Sequence, residues 1–165
     1  MRGAYLKSAV KLRTILLSLT LCFLSAASCL ADNSMLGTWK LNESKSKMRP
    51  GAPKGLTAVY ELVGDDVKIT LDGVASSGKP THSEWTGKFD GKYYPVTGNG
   101  ALVDARSYTK VDDRTLVFSE KKNGKVVFTG RVVISKDGKS RAVTTNGTDP
   151  KGKKFRTVYV YDKQP

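Results

Sequence analysis

The chain has 165 residues, which suits one domain and leaves too little for two with sizeable cores. Lys and Arg number 28 against 15 Asp and Glu, a formal net charge of +13, and there are one histidine and two cysteines. Such counts exclude a disulfide-stapled scaffold and a cysteine-rich metal site, and they leave little material for a nucleophile–base pair.

Residues 1–31 read as a targeting segment. Arg2, Lys7, Lys11 and Arg13 form a positive leader with no acid among them, and Thr14 to Ala27 is an apolar run of export length, too short to span a bilayer comfortably. Cleavage after Ala31 leaves a chain from Asp32 with a formal charge of +9, since those four cations are lost, and no cysteine, since Cys22 and Cys29 go with them. A second reading stays open: Ala26-Ala27-Ser28-Cys29 loosely resembles a bacterial lipobox, lacking the usual aliphatic residue at Ala26, and in that reading Cys29 is lipidated and becomes the first residue. The expected location is periplasmic or extracellular, soluble in the first case and membrane-tethered in the second.

From residue 32 onward the chain is punctuated by turn chemistry. Gly64-Asp65-Asp66, Asp72-Gly73, Asp90-Gly91, Asn99-Gly100, Asp112-Asp113, Asn123-Gly124, Asp137-Gly138 and Pro150-Lys151-Gly152 recur at hairpin spacing. Apolar and polar residues alternate between them, as in Val67-Lys68-Ile69-Thr70-Leu71-Asp72 and along Val126, Phe128, Val132 and Ile134. The pattern predicts an all-β domain of about ten strands, near 36–42, 56–63, 66–72, 80–89, 92–97, 101–110, 114–121, 125–135, 140–147 and 154–162. Short connections favour an antiparallel up-and-down meander, and the two edges of so long a meander favour its closure into a barrel or flattened clam. A two-sheet sandwich is the alternative. Asn42–Gly55, basic and rich in Pro and Gly, reads as a loop across one end with a helical turn near Ser44–Lys47. Residues 67–88 and 140–163 share the form strand, Gly, four residues, Gly-Lys, strand, which one hairpin type used twice explains.

Gly37-Thr38-Trp39 at the head of the first strand resembles the first motif of the lipocalin and fatty-acid-binding (calycin) superfamily, where the tryptophan plugs the closed end of the barrel. Thr157-Val158-Tyr159-Val160-Tyr161-Asp162-Lys163 resembles the last strand of the fatty-acid-binding branch. With Gly78-Lys79-Pro80-Thr81-His82 and the Asp-Gly-Lys turns, the whole is similar to small exported bacterial lipocalin-like proteins. The resemblance implies a non-catalytic barrel holding a small apolar or amphipathic ligand, without a cofactor. The second lipocalin motif, Thr-Asp-Tyr, is missing. Tyr161 matches the tyrosine of the fatty-acid branch's Arg-x-Tyr, but Tyr159 stands where its arginine belongs and Arg156 has the wrong parity. That carboxylate clamp is therefore not implied, and Asn42–Gly55 replaces the branch's helical lid.

Catalytic chemistry finds little support. His82 and Glu84 share a strand face, which allows a metal pair but supplies no third ligand. Most aspartates sit in turns, where they shape the bend; only Glu61, Glu84, Asp104 and Glu120 lie within predicted strands, leaving a carboxylate hydrolase as the least favoured reading. Lysines that follow glycine, Lys79, Lys92, Lys125, Lys139 and Lys153, predict cationic rims at both ends, suited either to an anionic envelope surface or simply to solubility. Nucleic acid is not an expected partner, and a monomer is. The candidate cavity residues are Trp39, Tyr60, Trp85, Arg106, Tyr108, Phe128, Tyr159 and Tyr161. Arg106, in phase with Leu102 and Tyr108, is the expected buried cation, with Asp104 beside it. An open barrel and a filled one use the same alternation, so a structural domain with a filled core and a basic surface is the rival function.

Overall fold

The computed structural model describes residues 34–149 and 151–165. The targeting segment expected over 1–31, with Cys22 and Cys29, lies outside the described residues. The strands are β1 (Gly37–Leu41), β2 (Lys54–Val63), β3 (Asp66–Val74), β4 (Pro80–Gly87), β5 (Asp90–Thr97), β6 (Ala105–Asp112), β7 (Thr115–Lys122), β8 (Lys125–Ile134), β9 (Ser140–Thr148) and β10 (Lys154–Lys163). Each pairs antiparallel with its neighbours in sequence, and β1 pairs with β10, so the meander closes into a barrel and no sandwich forms.

Turn chemistry sets these boundaries. At Asn123-Gly124 both residues have positive φ, 50° and 76°, which matches the twist of the strands they join. The turns after β3 and β9 carry the same two hydrogen bonds, Ala75 N–H to Lys79 O with Gly78 N–H to Ala75 O, and Asp149 N–H to Lys153 O with Gly152 N–H to Asp149 O. The internal echo in the sequence is thus one hairpin type used twice.

Two expectations need correction. Asp72-Gly73 is not a turn: Gly73 lies inside β3, where a Cβ would come within 2.5 Å of the Leu56 side chain, so the missing side chain serves packing. The strand expected from 101 begins at Ala105. Residues 98–104 fold back on β4 instead, with Gly100 N–H donating to His82 O and Asn99 Oδ1 accepting from His82 N–H. Gly98 permits this approach, with φ of 106° and a Cβ position only 2.3 Å from His82 O.

Asn42–Gly55 contains a short 3-10 turn at Glu43–Lys45 capped by the Asn42 side chain. The segment then runs beside β10, through Asn42 N–H to Val160 O and the Lys47–Val158 bridge, before Arg49 reaches the ring of Phe155 at 4.2 Å.

The barrel's weakest seam is β4–β5, paired at only Glu84–Thr97 and Trp85–Val96. Side chains complete it. The Trp85 indole N–H donates to Arg106 O at 2.9 Å, and Gly87 makes room for the Tyr94 ring, which a Cβ would meet at 2.5 Å.

Candidate functional site

Residues opposite one another in a ladder share a face, so register decides which side chains enter the barrel. Trp39 faces Ala58, Tyr60 faces Ile69, and Ile69 faces Trp85. Arg106 faces Glu120, Tyr108 faces Phe118, and Phe128 faces Gly147. Tyr159 faces Val143, and Tyr161 faces both Leu41 and Arg141. All eight candidate residues therefore lie on the inner face, in three separate groups.

The first is an aromatic block. Trp85 meets Tyr108 edge-on at 5.0 Å and Tyr94 at 5.7 Å, stacks on Phe89 at 6.2 Å, and Tyr108 continues to Phe118 at 5.9 Å. Trp85 and Tyr108 are buried, so this side of the interior is packed core. Arg106 lies at its edge, with Nε donating to Glu120 Oε1 at 2.5 Å and Nη1 3.4 Å from the Tyr108 hydroxyl. Burial opposes the Arg106 charge, but Tyr108, Glu120 and Tyr60 outweigh it and raise the guanidinium pKa. Burial likewise pushes the Tyr108 hydroxyl far above the usual phenol range.

Glu120, not Asp104, is thus the acid beside Arg106. Since 98–104 is a loop, strand parity does not extend into it: Asp104 turns outward to Lys122 Nζ and Asn123 N–H, and Leu102 is 67% exposed.

The second group closes one end. Trp39 is fully buried, with its indole N–H on Met35 O at 3.0 Å. The Arg141 guanidinium lies over Trp39, Tyr60 and Tyr161 at 4.8, 4.4 and 4.9 Å. Its Nε and Nη1 have no hydrogen-bond partner among the described residues, so the rings carry much of what offsets its burial. Burial raises the Tyr161 pKa well above the phenol range, with Arg141 opposing. Arg141 was not among the sequence candidates. Its signal is the alternation Arg141, Val143, Thr145 on β9, where a cation takes an inward position.

The third group differs in kind. On β8, β9 and β10 the inward residues Phe128, Val143, Thr145, Phe155 and Tyr159 are half-buried, whereas Val132, Ile134, Arg141, Thr157 and Tyr161 on the same strands are sealed, as are Trp39, Trp85 and Leu116. The β8–β10 wall is thus accessible at those five positions and packed between them. Where these strands reach the end of the barrel, an open cleft of about 520 Å3 is lined by inward Phe128, Gly147 and Phe155 and by outward Thr129, Asn146, Lys154 and Arg156. Phe128 and Phe155 meet at 6.1 Å across Gly147, where a Cβ would clash with both rings at 2.6 and 2.8 Å. A second depression of about 400 Å3 continues over the outer face toward Val117, Arg131 and Thr144.

The outward acids are engaged elsewhere. On the outer face His82 Nδ1 lies 2.7 Å from Asp72 and its Nε2 3.7 Å from Glu84, which Lys68 also holds. Lys68 draws the Glu84 carboxyl below its usual pKa. Among the described residues no group of three or more His, Cys, Asp or Glu is arranged to hold a metal.

The cationic rims expected at both ends are in fact unequal. Alternate turns of a meander gather at alternate ends. With one strand residue included on either side of each turn, the end formed by the β1–β2, β3–β4, β5–β6, β7–β8 and β9–β10 connections carries ten Lys and Arg against Glu43, Asp104 and Asp149. The opposite end carries Lys88, Arg114, Lys136 and Lys139 against Asp65, Asp66, Asp90, Asp112, Asp113 and Asp137.

The closed ten-stranded barrel with a buried Trp39 is the architecture that the Gly-x-Trp resemblance implies. No protein-family model and no curated protein sequence matches the chain. Among solved structures it is similar to a redesigned β-barrel bound to DFHBI, at 14% identity over 79% of this chain and 95% of that one, with a TM-score of 0.40. It is also similar to lobster apocrustacyanin A1, at 14% identity, 81% and 62% coverage and a TM-score of 0.44. Apocrustacyanin C2 compares at 15% identity, 80% and 62% coverage and a TM-score of 0.44. The chain thus spans under two thirds of either apocrustacyanin.

Proposed function

We propose that this barrel is a non-catalytic carrier that takes a small amphipathic molecule against its β8–β10 wall. The observation that carries the reading is the contrast between the sealed Trp39 and Trp85 and the half-buried, inward Phe128, Val143, Thr145 and Tyr159. Apolar rings and a threonine offer a mostly apolar surface with few polar atoms, as small-molecule sites do. Lys154, Arg156 and Arg49 stand at the cleft's rim, suited to an anionic end on the ligand. Of the eight sequence candidates, Phe128 and Tyr159 are then contacts. Trp39, Tyr60, Trp85, Tyr108 and Tyr161 are scaffold, and Arg106 is held by Glu120. The reading of residues 1–31 as a leader supports carriage after export, in a soluble form or tethered through Cys29.

The test is a fluorescence titration with 1-anilinonaphthalene-8-sulfonate. Saturable binding at one site is expected, weakened about tenfold by Phe128→Ala or Tyr159→Ala, since roughly 1.4 kcal/mol is a factor of ten. Binding that is unsaturable, or indifferent to both substitutions in folded protein, sinks the reading.

A further inference from the structure

We infer that the basic end of the barrel docks on an anionic lipid bilayer. This rests on surface charge and not on the carrier reading, so either can fail alone.

The topology concentrates charge that the sequence spreads along the chain. Around the barrel, the β1–β2 loop runs beside β10, the β9–β10 turn adjoins it, and the β7–β8 turn lies one hairpin further on. Lys47 and Arg49, Lys151 and Lys153, and Lys125 therefore form one contiguous arc, and all five are exposed. The nearby acids at this end are already engaged, Asp104 by Lys122 and Asp149 by the backbone N–H groups of Lys151 and Lys153. At the opposite end Lys88 and Lys110 are paired with Asp66 and Asp113, and acids outnumber bases in the turns. The molecule thus presents one face to a negative surface and would be turned away from it by the other.

Charge sets the orientation and aliphatic tips bear on the occupant. Val74, Leu102 and Val126 project from this end, 41%, 67% and 53% exposed, among the lysines, while Leu62, Val63 and Val111 are similarly exposed at the acidic end. Aliphatic side chains among cations suit the headgroup and acyl boundary of a bilayer, where each basic residue contributes about 1 kcal/mol near an anionic leaflet. A nucleic-acid duplex gains little from them, and its single strands would call for exposed rings rather than leucine and valine.

The experiment is co-sedimentation of the protein with vesicles of phosphatidylcholine alone or mixed equally with phosphatidylglycerol. Binding is expected only to the anionic vesicles, with release at about 1 M salt, where the Debye length is about 3 Å. The triple variant Lys125→Glu, Lys151→Glu, Lys153→Glu should lose at least about tenfold in affinity, at roughly 1 kcal/mol per charge. The same charge change at the other end, Lys92→Glu, Lys136→Glu, Lys139→Glu, should cost less than about threefold. All six lysines are exposed, so both variants should keep the far-ultraviolet spectrum and melting point of the parent. Phe128→Ala removes a wall contact without touching the cations of the arc and should still sediment with the anionic vesicles, which separates docking from carriage. Equal binding to both vesicles, equal loss in both triples, no binding at all, or tighter retention of duplex DNA than of vesicles at the same salt would each overturn the inference.

Discussion

Arg106 on β6 and Glu120 on β7 sit opposite each other across one ladder, their side chains joined at 2.5 Å inside the barrel. Side-chain exposure is 16% and 11%, so each charge depends on the other for most of its solvation. Removing one partner of such a pair strands a charge and costs about 3–5 kcal/mol, while replacing both by apolar groups is often close to neutral. Glu120→Ala should therefore lower the urea-unfolding free energy by about 3–5 kcal/mol, and the double change Arg106→Met, Glu120→Leu should recover most of that. A double variant no better than the single would show that the pair does more than neutralise itself.

Arg141 poses the opposite case, a buried cation held by rings without an acid. If its main role is to fill the space over Trp39, Arg141→Met should cost under about 1.5 kcal/mol, because volume is kept. Arg141→Ala should cost about 2–5 kcal/mol through the cavity left among Trp39, Tyr60 and Tyr161. Chemical denaturation of both variants decides it. Equal losses would assign the stability to the charge rather than to the volume.

Gly147 links the wall to the cleft. A methyl there would push against Phe128 and Phe155, the two rings that flank it. Gly147→Ala is expected to cost about 1–3 kcal/mol by crowding and to weaken 1-anilinonaphthalene-8-sulfonate binding in the same variant. Calorimetry paired with the dye titration reads both effects.

Acid should loosen the barrel through its aspartates. Asp90 and Asp112 are held below the usual carboxylate value by the backbone N–H groups of Lys92 and Arg114, Asp104 by Lys122, Asp137 by the Ser135 hydroxyl, and Asp162 by the Asn42 side chain. Groups lowered in the folded state stabilise it fully above the unfolded value, here 3.8, and lose that contribution as pH falls through the folded value. The melting temperature should hold down to about pH 5 and drop below about pH 4, and Asp104→Asn should shrink the drop. A melting point that rises on acidification would contradict the assignment.

How much of this was legible in the sequence varies with how local the physics is. Turn pairs such as Asn123-Gly124 and the alternation in β3, β7 and β8 placed nearly every strand, because twist and face are decided by adjacent residues. Asn99-Gly100 misled because its amide side chain caps β4, a contact seventeen positions away in the chain. That displaced strand start put Leu102 and Asp104 inside, where the loop turns them out. Glu120 as the partner of Arg106, and Arg141 over Trp39, depend on register between strands, which alternation alone leaves free. Inner-face membership of the eight candidates followed from parity. Which of them are sealed depends on how ten strands share one interior, and no single strand reports that.

The most direct test of the carrier reading is a map of backbone amide shifts as 1-anilinonaphthalene-8-sulfonate is added to the isotopically labelled protein. Saturable shifts should centre on Phe128, Val143, Gly147 and Tyr159, while Trp39, Leu116 and Val132 stay still. Shifts centred instead on Val117, Arg131 and Thr144 of the outer depression, or shifts that never saturate, would contradict it.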